Sequence, residues 1–239
     1  MNSPISDAKA DRLVRWLGLA AGQRVWDAGC GAGEFLLRAV AACDGVAGLG
    51  VDQDATGIAA ARAAAAARGL ATRCAFREGD ANAPEFARGE YDVAICIGST
   101  HAFGAGEAAY PSAIARLRAA VRPGGLVLIG EAYWKQPPAP EYLALLGDPA
   151  GIYRDHAGNV AFAEARGLTP VYATTSTDDE WDEFEWSHQA RIRQAAEAAK
   201  GGAGPDGAAR LARAKAWRDG YLRWGRATMG FGAYVFRRQ

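Results

Sequence analysis

An α/β fold, a parallel sheet with helices on both faces, is the class this sequence predicts, and three observations predict it. Short apolar runs alternate with helix-like stretches through the first 134 residues, the order a sheet covered on both sides requires. The strand candidates, such as "VAICI" (93–97) and "LVLI" (126–129), are unbroken apolar runs, so burial on both faces is expected. The turn "GCGAG" (29–33) directly follows the first strand candidate and opens a helix, the setting in which nucleotide-like ligands are held.

The elements follow in order. Ser3 and Pro4 read as the cap and first residue of a helix over Ile5–Leu19. "RVWDAG" (24–29) is a strand entering the glycine turn, "EFLLRAVAAC" (34–43) the helix leaving it, and "VAGLGVD" (46–52) the second strand. The alanine-rich stretch 55–70 is a strong helix, closed by Gly69. "ATRCAFREGD" (71–80) and "YDVAICIGS" (91–99) are strands three and four. A helix (110–121), the turn "RPGG" (122–125) and strand five, "LVLIGEAYW" (126–134), complete the alternation. Beyond it come a Pro-rich link with a short helix (137–149), a helix (159–167) and a sixth strand (169–177). Two long helices (178–200 and 208–229), joined by the flexible link "GGAGPDG" (201–207), precede the last strand, "FGAYVFRR" (231–238). The whole chain, 1–239, reads as one domain, with 178–229 as a helical, lid-like insertion between strands six and seven.

Composition excludes several classes. Lysine plus arginine and aspartate plus glutamate balance at 27 each, so no overall field favours nucleic acid or an anionic membrane. The basic residues of "RLARAKAWRDGYLRWGR" (210–226) are spaced as a solvated helix face. No apolar run approaches the roughly 20 residues of a membrane helix, and the polar N-terminus lacks a signal-peptide core. Cys30, Cys43, Cys74 and Cys96 show neither CxxC nor metal-ligand spacing. Reduced thiols, a cytoplasmic location and no bound metal are expected, with Cys30 a small filler in the loop.

The turn itself discriminates between ligands. A dinucleotide loop needs a third glycine where this chain has Glu34, and Asp27 adds a second acid just before the turn. Two acids beside a glycine turn suit a positively charged ligand, such as a sulfonium carrying an α-amino group, and disfavour NAD.

"VWDAGCGAGEF" (25–35) resembles the first motif of class I S-adenosylmethionine-dependent methyltransferases, and "GLGVDQD", "FREGDAN", "YDVAICIGSTHAFG" and "LRAAVRPGGLVLIGE" resemble their later motifs in the right order. The resemblance implies a Rossmann-like seven-stranded methyltransferase sheet with S-adenosyl-L-methionine as cofactor. It implies that Asp27, Gly29, Cys30, Gly31 and Gly33 form the loop site. Asp52, with Gln53 beside it, would take the ribose hydroxyls, Asp80 and the Ala81 N–H the adenine, and Ile97 and Gly98 would close the site. A narrower similarity, in "NSPISDAKADRL", "GSTHAFG", "GEAYW" and "GFGAYVFRR", is to a group of small bacterial methyltransferases whose acceptors are mostly unassigned.

The acceptor is read from what surrounds those motifs. The fourth strand lacks the "NPPY"-like run of enzymes that methylate nucleobase amines, and Gly98–Gly106 lacks the acids of metal-dependent catechol-type enzymes. His101, past the end of that strand, is the candidate catalytic base or substrate contact. Glu131, Tyr133 and Trp134 end the fifth strand on the ligand side, Glu131 either binding the acceptor or pairing with an arginine. Trp181, Phe184 and His188, and Trp217, Tyr221 and Trp224, recur at helical spacing. They either pack the inserted helices on the sheet or form an aromatic lid over a small apolar pocket. The expected activity is methyl transfer to an oxygen or nitrogen of a small aromatic or heterocyclic molecule. The rivals are a non-catalytic cofactor-binding subunit, protein methylation, and an aminopropyl transferase, which would need a carboxylate pair that "IGSTHAFG" does not supply. Oligomeric state is left open.

Overall fold

Strand β1 (Arg24–Ala28) lies at the middle of the structure and fixes where a ligand can enter. The computed structural model describes residues 2–198 and 205–239. Its other strands are β2 (Ala47–Asp52), β3 (Cys74–Glu78), β4 (Tyr91–Ile97), β5 (Val121–Trp134), β6 (Leu168–Thr175) and β7 (Met229–Arg238). They form one sheet in the order β3-β2-β1-β4-β5-β7-β6. Strands β1 to β5 are parallel, and β7 runs antiparallel between β5 and β6. Chain order reverses at β1, which pairs with β2 on one side and β4 on the other. In such open sheets the crevice past the strand ends at the reversal is where ligands bind.

The helices are α1 (Asp7–Trp16), α2 (Glu34–Ala41), α3 (Ala55–Ala67), α4 (Ala109–Ala120), α5 (Pro140–Leu146), α6 (His156–Glu164), α7 (Asp178–Ala198) and α8 (Pro205–Gly220). Successive residues of β4 serve opposite faces. Val93 and Ile95 join Leu13, Leu36 and Ile58 of α1 to α3, whereas Ala94 and Cys96 join Ile114 and Leu117 of α4. All four β4 residues are essentially inaccessible to solvent, which accounts for their unbroken apolar run.

Several boundaries differ from the sequence expectation, and the expected turn 122–125 lies within β5. Helix α1 is capped by Ser6, whose hydroxyl accepts the Lys9 N–H, not by Ser3. Both serines satisfy the capping chemistry, and the tertiary partners decide between them. Glu180 of α7 accepts from the Ser6 N–H and hydroxyl, while the Ser176 hydroxyl holds the Pro4 carbonyl. Asn2–Pro4 therefore precede the helix as an arm outside it. The link 201–207 falls largely outside the described residues, and α8 starts at Pro205.

Between β6 and β7 the insertion comprises α7, α8, a π-helical turn Tyr221–Gly225 and a short helix Arg226–Thr228. A clasp fastens α7 to α1: the buried Lys9 ammonium pairs with Glu180 and donates to the Thr175 carbonyl at 2.5 Å. Hydrogen bonds from Lys9, Ser6 and Thr177 outweigh burial and hold the Glu180 carboxyl down at about 2.

Candidate functional site

A cavity of about 700 Å³ opens at the carboxyl ends of β1, β2 and β4. Its floor is the turn from β1 into α2, where Gly29, Gly31 and Gly33 all have positive φ (70°, 50° and 75°). Gly29 also leaves no room for a side chain, because a Cβ there would overlap Ser99. At Gly31 a Cβ would meet nothing within 4 Å, so that glycine serves the left-handed backbone that aims its N–H at Asp52.

Asp52 ends β2. Its Oδ2 accepts the Gly31 N–H at 2.7 Å and its Oδ1 the Asp54 N–H at 2.9 Å. These bonds lock the carboxylate while leaving a lone pair on each oxygen for a diol. Asp27, one strand over and only 3 % exposed, has no cation within ion-pair distance among the described residues. Burial and then the Asp52 charge push its carboxyl up to about 7, with the Leu36 N–H pulling the other way. A cationic group of a ligand beside Asp27 would favour its charged form.

The second acid behaves otherwise. Glu34 lines the cavity, but Arg38 holds it at 2.8 Å and Arg68 at 2.6 Å. The expectation that Glu34 adds negative field beside the ligand is corrected: its charge is already compensated, and the discrimination rests on Asp27 and Asp52. Burial beside those two acids raises the Cys30 thiol well above its usual range, so Cys30 is a wall atom with no nucleophilic character.

Gln53, Ala81, Ile97, Gly98 and His101 also line this cavity. Asp80 is exposed and absent from its walls, with its Oδ1 occupied by the Asn82 N–H at 2.8 Å. The backbone on either side of it, at Gly79 and Ala81, does reach the cavity.

A second pocket, of about 300 Å³, adjoins the first, and Asn2, Ser3 and Gly98 border both. Gly98 has φ +67°, and a Cβ on it would come within 2.7 Å of the Ser3 hydroxyl, so the partition is as thin as a backbone permits. Glu131, Trp181 and Tyr221 line this pocket as the sequence suggested, together with Phe184 and Trp217. Tyr133, Trp134, His188 and Trp224 do not border it. Tyr133 is buried against His156, with ring centroids 5.3 Å apart. Trp134 donates its indole N–H to the Ala150 carbonyl and packs edge-on to Tyr153, a wall residue. Trp224 stacks behind another, Tyr142, and His188 is exposed on α7.

Glu131 is buried at the end of β5. Thr100 donates to its Oε2, the Ala132 N–H donates to its Oε1 at 2.7 Å, and no ion pair engages it among the described residues. The arginine pairing open to it from sequence is absent. Burial raises its carboxyl above the usual range despite these bonds. Sequence reasoning missed Tyr142, Asp148, Tyr153, Glu185 and the arm Asn2–Pro4, all on the pocket wall. The two acids carry no motif. Tyr142 reaches the wall because α5 packs on α8, where Gly225 of the π turn leaves room for its hydroxyl; such turns recur at functional sites.

Comparison with known proteins agrees with this geometry. A family model described as a methyltransferase domain matches residues 25–125, the stretch that supplies most of the larger cavity's lining. The chain is 30% identical over 200 residues to the uncharacterized protein YjhP of Escherichia coli (strain K12), covering 83% of this chain and 78% of that one. Its structure is similar to that of a SAM-dependent methyltransferase from Geobacter sulfurreducens in complex with S-adenosyl-L-homocysteine, with TM-score 0.88, 27% identity, and 100% and 94% of the two chains covered. A SAM-dependent methyltransferase from Thiobacillus denitrificans, also in complex with S-adenosyl-L-homocysteine, superposes with TM-score 0.85 at 24% identity, covering 100% and 94%.

Proposed function

The chain belongs to the class I S-adenosylmethionine-dependent methyltransferases, and from that premise we propose that it methylates an oxygen or nitrogen of a small aromatic or heterocyclic molecule held in the 300 Å³ pocket. The observation that carries the proposal is the shared wall at Gly98 and Ser3 between that pocket and the cofactor cavity.

S-adenosylmethionine is the cofactor, and the residues of the larger cavity fit it. Asp27 is a buried carboxylate without an ion-pair partner among the described residues, suited to the cofactor's α-amino group. Asp52 offers two oriented lone pairs to the ribose diol. Gly79, Ala81 and Ile97 offer an apolar slot with a backbone N–H for the adenine, and Gln53 lines the same cavity. When bound, the cofactor supplies a methyl group on a positively charged sulfur, transferred by in-line displacement.

The chain's own contribution is position and proton management. Thr100 and the Ala132 N–H hold the Glu131 carboxylate at the pocket wall beside the β4 terminus. Its raised affinity for a proton suits it to receive the one the acceptor loses. His101, which lines the cofactor cavity, is proposed to contact the acceptor and complete its orientation. Trp181, Tyr221 and the flanking rings exclude water, and Trp134 and Trp224 pack behind the wall residues Tyr153 and Tyr142.

Residues 1–239 are proposed to work as one domain, with 178–229 as the lid. No described helix is long and apolar enough to cross a membrane. A cytoplasmic location is supported by the unpaired cysteines. Incubation with methyl-labelled S-adenosylmethionine and a fractionated cell extract tests the proposal. Label is expected in small-molecule fractions; label confined to protein or nucleic acid would refute it.

A further inference from the structure

The acceptor pocket is chemically one-sided. Three carboxylates, Glu131, Asp148 and Glu185, reach its wall from β5, the loop after α5, and α7, and among the described residues no lysine, arginine or histidine does. Between them stand the faces and edges of Tyr142, Tyr153, Trp181, Phe184, Trp217 and Tyr221. We infer that this pocket selects an acceptor carrying a protonated amine, held as an organic ammonium between aromatic rings and carboxylates.

The inference rests on the methyl-acceptor reading of this pocket and narrows it to one substrate class. Glu131 and Glu185 are 8 % and 6 % exposed. Glu185 has a single hydrogen bond, from the Trp217 indole N–H at 2.9 Å, and burial raises its carboxyl. None of the three acids has an ion-pair partner among the described residues. Cations stand near: the Arg154 charge acts on Glu131 from beyond ion-pair distance, and the others are paired elsewhere. Arg226 pairs with Asp178 and Asp182, Arg154 lies 4.2 Å over the Phe162 ring, and Lys215 and Arg218 share Asp219. Negative potential inside the pocket also acts on Tyr153, whose phenol is pushed up to about 12 by burial and then by Glu131 and Asp148.

A buried anion costs free energy unless paired, so two of them facing one cavity imply that the counter-charge arrives with the ligand. Among the described residues no three acidic, His or Cys side chains gather at metal-binding range, and the rings favour an organic cation through their negative faces. The Trp181 indole N–H is buried without a hydrogen-bond partner among the described residues, on a residue that lines the pocket.

The test reads binding, not turnover. Trp181 and Trp217 make the pocket fluorescent, so the protein saturated with S-adenosylhomocysteine is titrated with phenethylamine, benzyltrimethylammonium, 2-phenylethanol and phenylacetate. Saturable quenching by the two cations is expected, with 2-phenylethanol at least roughly tenfold weaker and phenylacetate without effect. Glu131→Gln and Glu185→Gln should each weaken benzyltrimethylammonium about tenfold. Asp148→Asn, at a half-buried loop site, should weaken it in a variant whose fold is not at risk. Equal binding of the neutral or anionic probe, no saturable binding of either cation, or unchanged affinity in all three variants would overturn the inference. Binding of S-adenosylhomocysteine in the same samples keeps that failure distinct from failure of the methyltransferase reading.

Discussion

Replacing Asp27 by asparagine removes a buried charge at nearly constant volume and tests the electrostatics of the cofactor cavity. The carboxyl is raised from 3.8 to about 7 by burial and by Asp52. At about 1.4 kcal/mol per pKa unit, that difference is worth about 4 kcal/mol. For an acid whose folded pKa is raised, stability is fully present below the unfolded value and is lost as pH rises through the folded one. Between pH 5 and 7 the ligand-free wild type therefore loses about 2 kcal/mol through this group alone, and the variant loses none of it. Urea denaturation of both proteins at pH 5, 6, 7 and 8 measures the difference, because every other titrating group is common to the two. S-adenosylhomocysteine, which brings an ammonium to Asp27, should restore the wild type at pH 8 and do much less for the variant. Parallel stability curves for the two proteins would refute the reasoning.

Other consequences follow from the same geometry. Asp52→Ala removes charge-assisted hydrogen bonds worth roughly 1.5–3 kcal/mol each and should weaken S-adenosylhomocysteine at least about tenfold by calorimetry. Glu131→Gln should lower turnover by about a hundredfold while leaving S-adenosylhomocysteine affinity unchanged, which separates it from a cofactor ligand. His101→Ala should lower turnover and leave the fold intact, as read by circular dichroism and a thermal melt. Glu180→Ala strands the buried Lys9 ammonium and should cost about 3 kcal/mol in denaturant titration. Because the Glu180 carboxyl is depressed to about 2, its contribution is present above the ordinary carboxylate range and is lost only as pH falls toward 2.

The cofactor half of the molecule was legible because its signals are local. The turn 29–33 needs glycine for backbone reasons, Asp52 ends its strand at a fixed distance along the chain, and buried parallel strands leave unbroken apolar runs. Even there Glu34 misled: Arg38 lies one helical turn away and was readable as a partner, but Arg68 comes from α3 across the fold. Ser3 was misread as a helix cap for a similar reason, since only the contact with Glu180 selects Ser6. The acceptor pocket was legible in part. Trp181 and Tyr221 stood out by helical spacing, yet the same spacing held for His188 and Trp224, which lie off the wall. Glu185 and Asp148 had no signal at all, because an acid on a helix or loop is ordinarily solvated and only the packing of α5, α7 and α8 encloses these two.

Calorimetric titration of the purified protein with S-adenosylhomocysteine, with NADH as control, tests the central claim most directly. Micromolar binding of S-adenosylhomocysteine, abolished or strongly weakened in Asp52→Ala, and no heat from NADH are the results predicted. Binding of NADH alone, or of neither compound to a folded sample, would contradict the assignment of the cavity at the ends of β1, β2 and β4.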